Sequence, residues 1–127
     1  MNYDIPRLWS DLINGGDVEG VLALYAENAP LFATFDPQPL DRPEQRRKYF
    51  EGFLGRPGAG VELDEASLGF VSTAEGAYHA TGLYTFFYEE NGILVRQAAR
   101  FTFIVSVDQG PVILHHHSSL VPNPKPE

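Results

Sequence analysis

Cysteine is absent from the 127 residues, which excludes disulfides, a thiol nucleophile and a cysteine–zinc cluster. Basic residues are scarce too: 9 Lys and Arg stand against 17 Asp and Glu, a formal net charge of -8. Such a surface repels phosphates and anionic headgroups, so neither nucleic acid nor a membrane is expected as a partner. No apolar run approaches the roughly 20 residues of a membrane span, and no apolar stretch follows a basic start at the N-terminus. These absences leave a soluble, cytoplasmic protein as the expectation. What is present is a hydrophobic share of 43%, with 13% aromatic residues, the composition of a folded chain. The length suits one domain over residues 1–121, with a flexible, proline-rich tail over 122–127.

Ile5, Leu8, Trp9, Leu12 and Ile13 recur at helical spacing, and Gly15-Gly16 stops that helix. Asp17 caps a second, short helix whose apolar side carries Val18, Val21, Leu22, Leu24 and Tyr25. Pro30 ends it, and residues 31–35 read as a short strand before a proline loop. Asp41 is placed to cap a third helix, with Pro43 in its first turn and Leu54 near its end. From Val61 the period becomes that of strands, near 61–71, 76–88, 93–107 and 112–120. Asn91-Gly92 is a strong two-residue hairpin signal, and Gln109-Gly110 a weaker one. Three helices followed by a long antiparallel meander make an α+β fold, with helices on one face of a curved sheet.

The densest chemistry lies in Val112-Ile113-Leu114-His115-His116-His117-Ser118-Ser119-Leu120. Strand side chains alternate, so His115, His117 and Ser119 share one face, and His116 and Ser118 the other. A His-x-His-x-Ser row suits a metal or a proton-handling network. With two-residue turns and no bulge, Thr102 falls opposite His117 and Arg100 opposite Ser119. Leu83 then faces Arg100, and His79 faces Ile104, which itself faces His115. One face collects Arg100, Thr102, His115, His117 and Ser119; the other collects Phe101, Phe103, Val105, Leu114 and His116. That separation favours a polar pocket on the first face and a packed apolar layer on the second. A structural role remains open for several of these residues, as an ion pair for Arg100 or a core position for His116.

Several segments together are similar to a known family: Leu31-Phe32-Ala33-Thr34, Lys48-Tyr49-Phe50, Gly82-Leu83-Tyr84-Thr85-Phe86, Ala99-Arg100-Phe101-Thr102-Phe103, and the His-Ser ending with Pro122. They resemble the small bacterial and algal proteins related to the association domain of calmodulin-dependent kinase II. Within that group the three-His, two-Ser ending resembles the iota-class carbonic anhydrases. The resemblance implies an NTF2-like cone, a curved antiparallel sheet with three helices enclosing a pocket, usually as a homodimer or higher homo-oligomer. It also implies reversible hydration of carbon dioxide, with Thr34, Tyr49, one histidine and one serine around the substrate. Some iota-class enzymes work without metal, so no cofactor is expected.

On that basis His117 is the expected base, Ser119 and Thr34 orient the water, and Tyr49 donates to the developing carbonate oxygen. His115 completes the catalytic set. Arg100 would hold bicarbonate, with Thr102, Tyr84, His116 and Ser118 on the substrate side. The nearest rival is a zinc or manganese site built from His79, His115 and His117. Two others are a non-catalytic oligomerisation or ligand-binding domain and an isomerase or cyclase of the same superfamily. The last of these needs an acidic general base in its pocket.

Overall fold

In the computed structural model, which describes residues 2–108 and 110–123, the stripe Ile5, Trp9 and Ile13 becomes the buried side of helix α1 (Ile5–Asn14). Asp17 caps α2 (Val18–Ala23), its carboxylate accepting from the Gly20 N–H at 2.9 Å. A two-residue strand, β1 (Leu31–Phe32), precedes α3 (Pro43–Leu54). Arg42, not Asp41, is the N-cap of α3. The Gln45 side-chain oxygen accepts from both the Asp41 and Arg42 N–H groups, the reach back from N3 to the cap that a capping box provides.

The expected strand over 61–71 is two strands, β2 (Gly60–Leu63) and β3 (Gly69–Ala74), parted by a 3-10 turn over Glu65–Ser67. Asp64 makes that break, since its carboxylate accepts from the Ala66 N–H and competes with strand pairing. β4 (Ala77–Glu90) and β5 (Ile93–Ser106) form the long hairpin signalled by Asn91-Gly92. Both turn residues have positive φ, 54° and 78°, the conformation for which Asn-Gly is suited. β6 (Val112–Leu120) completes the sheet, whose order is β1-β6-β5-β4-β2, with β3 also on β4. Gln109 of the second hairpin and residues 124–127 of the tail lie outside the described residues.

The far part of the β5–β6 register agrees with the sequence reading. Thr102 lies opposite His117, Arg100 opposite Ser119 and Ile104 opposite His115. It does so through two departures that cancel. The connection is longer than a two-residue turn, with Ser106 opposite Val112, and a bulge at Leu114 restores the pairing before His115. The bulge switches the strand's parity, so Ile113 is buried, Leu114 is exposed, and His116 and Ser118 are buried.

The helices cover the face that carries Tyr78, Ala80, Tyr84, Phe86, Phe101, Phe103, His116 and Ser118. A polar pocket was expected on the opposite face, with Arg100, Thr102, His115, His117 and Ser119. That face is open, and Leu83, Ile104 and Leu114 stand exposed on it. The reason is area: apolar helix stripes are stabilised most against the broadest aromatic surface, at roughly 25 cal/mol per Å2. Trp9 sits at the middle of that layer, with Phe50, Tyr84, Phe86, Phe103 and His116 all within 6.4 Å of its ring. No helix among the described residues is long and apolar enough to cross a membrane.

Neighbouring residues on β5 test this face assignment. In urea unfolding, Phe103→Ala is expected to cost about 3–5 kcal/mol. Ile104→Ala, which truncates the open face, is expected to cost less than about 1 kcal/mol. The reverse ranking contradicts the placement of the core.

Candidate functional site

β6 is held on both edges, which fixes the inward side chains after its bulge. β5 pairs along one edge, and on the other β1 runs parallel, with Leu31 beside His116 and Phe32 beside His117. The turn into β1 is anchored by buried Arg46 of α3, whose guanidinium donates to the Ala26, Glu27 and Ala29 carbonyls at 2.7–3.0 Å. The chain then leaves the sheet at residue 33, which carries the Thr34 hydroxyl onto that of Ser118.

A continuous row of hydrogen bonds crosses the core behind this contact. The Trp9 indole N–H donates to the Tyr25 hydroxyl at 3.0 Å, and that hydroxyl lies 2.8 Å from His116 Nδ1. His116 Nε2 is 3.2 Å from the Tyr84 hydroxyl, which donates to Ser118 Oγ at 2.6 Å. Every polar side chain in the row therefore has a partner, as burial requires. His116 is 2% exposed, and burial, assisted by repulsion from the His115 and His117 charges, pushes its pKa down to about 3. Burial likewise raises the phenol pKa of Tyr25 and of Tyr84 well above the ordinary value. At neutral pH the row is uncharged throughout.

The row ends on a cavity of about 10 Å3, roughly the room for one water-sized guest. Trp9, Ile13, Leu31, Phe50 and Phe86 form its apolar wall, and Thr34, Tyr84, His116 and Ser118 its polar end. No carboxylate lines it among the described residues. Tyr49 and Phe53 separate it from an open groove of about 500 Å3, bordered by Phe35, Asp36, Lys48 and Arg56. Burial raises the Tyr49 pKa as well, opposed by a hydrogen bond from the Phe35 backbone.

Of the residues singled out in the sequence, Thr34, Tyr49, Tyr84, His116 and Ser118 therefore converge. His115, His117 and Ser119, expected as catalytic, and Arg100 and Thr102, expected to bind substrate, lie on the other face. There Arg100 Nε donates to Ser119 Oγ at 3.2 Å, His117 stacks on Phe32, and an open groove of about 610 Å3 runs past them. The displacement has one cause: the helices settled on the aromatic face and enclosed the polar groups that alternate into it. The rival metal set does not assemble. His79 and His115 flank Ile104 from opposite sides, two strand spacings or roughly 10 Å apart. Among the described residues no three His, Cys, Asp or Glu side chains are grouped to hold a metal ion.

Trp9 and Tyr25 were read only as apolar helix positions. A buried indole N–H and phenol O–H each need a partner, which was the available signal that they reach a polar strand end.

A family model described as the calcium/calmodulin dependent protein kinase II association domain matches residues 4–122. The chain belongs to this family. A solved structure from Xanthomonas campestris, described as such an association domain, is 26% identical, with a TM-score of 0.83 over 95% of this chain and 86% of that one. A ketosteroid isomerase-like protein from Erwinia carotovora atroseptica is 12% identical, with a TM-score of 0.75 over 97% and 100% of the two chains. A protein from Streptomyces avermitilis, described as a dehydratase of the NTF2-like family, is 14% identical, with a TM-score of 0.77 over 93% and 92%. These last two show the fold, which is the NTF2-like α+β cone the family resemblance implied. No curated protein matches the chain. The narrower likeness to iota-class carbonic anhydrases has no counterpart among these matches.

His116 gives a test with a definite sign. The unfolded chain takes up a proton near pH 6.5, but the folded chain only near pH 3. This residue's effect on stability is therefore nil above about pH 6.5, and it becomes destabilising as the pH falls towards 3. The slope is up to about 1.4 kcal/mol per pH unit. Urea midpoints measured from pH 7 to 4 are expected to fall less steeply for His116→Gln than for the wild type. Equal slopes would place His116 in water.

Proposed function

We propose that the association-domain chain hydrates carbon dioxide reversibly in the cavity under its helices, using Thr34, Tyr49, Tyr84, His116 and Ser118 and no metal. The observation that carries this reading is an enclosed space of water-like size, with one apolar wall, one end of hydroxyls and no charge. An uncharged, poorly hydrated substrate suits such a lining, and because the space holds one water alone, displacement of the Tyr49 ring towards the open groove has to make room for carbon dioxide beside that water. The His-x-Ser pair that meets Thr34 is His116 and Ser118, one residue out of step with the His117 and Ser119 of the sequence reading.

The residues allow the following chemistry. A water attacks the carbon, an electron pair of one C=O bond moves onto its oxygen, and hydroxyl donors receive the charge that develops there. Thr34 and Tyr49 are those donors. The proton released by the water leaves to solvent or buffer through the Tyr49 side. An imidazole with a pKa of about 3 is a poor base at neutrality, so His116 fixes Tyr84 and does not collect that proton.

The comparisons favour coarser readings, and a specific observation supports one of them. The open sheet face exposes Phe32, Leu83, Ile104 and Leu114, which suits an oligomerisation domain of the kind the family's name describes. Assembly through that face leaves the cavity untouched, so a homo-oligomeric enzyme combines both. An isomerase or dehydratase is less well supported, because the cavity lining has no carboxylate to act as base.

Stopped-flow hydration with untagged, metal-stripped protein tests the proposal. Thr34→Val and Tyr49→Phe are each expected to lower kcat/KM about 100-fold, the usual effect of losing one oxyanion donor, while Ser119→Ala has no effect. The wild-type profile is expected to show no imidazole titration between pH 6 and 8. Wild-type protein that forms large rings yet hydrates nothing would favour a scaffold.

A further inference from the structure

The buried row of hydrogen bonds begins at a donor-only group, and the need to pair each buried proton along it gives the direction of the bonds that follow. An indole N–H cannot accept. The Tyr25 oxygen is already occupied by Trp9, and the only acceptor within reach of its proton is His116 Nδ1. A neutral imidazole whose Nδ1 accepts carries its proton on Nε2. Nε2–H then donates to the Tyr84 oxygen, Tyr84 donates to Ser118, and Ser118 donates to its remaining partner, Thr34. Thr34, within donating reach of the Tyr84 oxygen, is left with a proton for that oxygen or for whatever occupies the cavity.

We propose that Tyr25 is a positioning residue that locks His116 in the Nε2–H tautomer and makes the Thr34 end of the cavity a hydrogen-bond donor. The cavity's preferred guest is then an oxygen that carries or gains negative charge, as on a small oxyanion. The opposite tautomer would leave the Tyr25 proton without an acceptor in the core. Leaving one buried donor unpaired favours the observed sense by roughly tenfold or more. Tyr25→Phe removes the bias, because Nδ1 is then unpaired in either tautomer, whereas Trp9→Phe keeps it, since the Tyr25 proton still has His116 Nδ1 as its acceptor. Tyr25 is not among the residues that line the cavity, so an effect of its hydroxyl on the guest has to pass through His116.

The consequence for catalysis rests on the hydration reading, whereas the tautomer does not. The test is 15N NMR of the histidine rings in full-length protein at pH 7. Wild-type His116 and Trp9→Phe are expected as a single Nε2–H tautomer, and Tyr25→Phe as a mixture in which the Nδ1–H form is readily detected. In a parallel hydration assay, Tyr25→Phe is expected to lower kcat about tenfold with KM little changed. A wild-type ring protonated on Nδ1, or a Tyr25→Phe ring that keeps the wild-type signature, would overturn the inference. Wild-type protein with the expected tautomer but no hydration would count against the proposed function and leave the directed row standing.

Discussion

An imidazole buried in an aromatic core must have both of its nitrogens hydrogen-bonded, or the core pays several kcal/mol for it. That requirement organises this molecule around His116. One nitrogen meets Tyr25 at the end of the helical pair, and the other meets Tyr84 on the longest strand. Trp9 closes the row from α1, and Ser118 and Thr34 continue it to the cavity. Elements far apart in the chain are thus tied to a single ring. The same enclosure that makes partners obligatory keeps the ring neutral, so at neutral pH His116 is a fixed dipole and not a titrating base.

A bulge of one residue makes this possible. Were Leu114 paired regularly and not bulged, the parity of β6 as it leaves Ile113 would carry His115 and His117 into the core, and His116 and Ser118 out of it. Bulges near functional sites commonly re-aim side chains in this way. Here the inward pair meets two tyrosines and a threonine, while the outward His115, His117 and Ser119 lie on a face with Arg100, Leu83 and Ile104.

Much of the fold was legible from local rules. The stripe Ile5, Trp9 and Ile13, the Asn91-Gly92 hairpin and the pairing of Thr102 with His117 depend on periods and turn chemistry a few residues long. Two small errors, in the second turn and at the bulge, happened to cancel in the register. The site was half legible. Its residue types and Thr34, Tyr49 and Tyr84 were within reach, but the face was not. Alternation along a strand shows which side chains share a side, not which side the helices will cover. Separating polar from aromatic positions suggested that the pocket belonged with the polar set. Packing energy favours the aromatic face instead, and the buried polar groups are those that interrupt it. The role of Trp9 and Tyr25 was hidden because their polar atoms contribute nothing to hydrophobic periodicity.

Family membership supplies the cone, a fold shared with proteins described as ketosteroid isomerase-like and as a dehydratase. The interior of this chain is small and, among the described residues, lined by no charged side chain. The most direct test of that claim is a crystal structure determined under carbon dioxide pressure. The account predicts a linear molecule lodged between Thr34, Tyr49 and Ser118 under the helices. A molecule held instead against Arg100 and His117 on the open face, or an interior that stays closed to the gas, would contradict it.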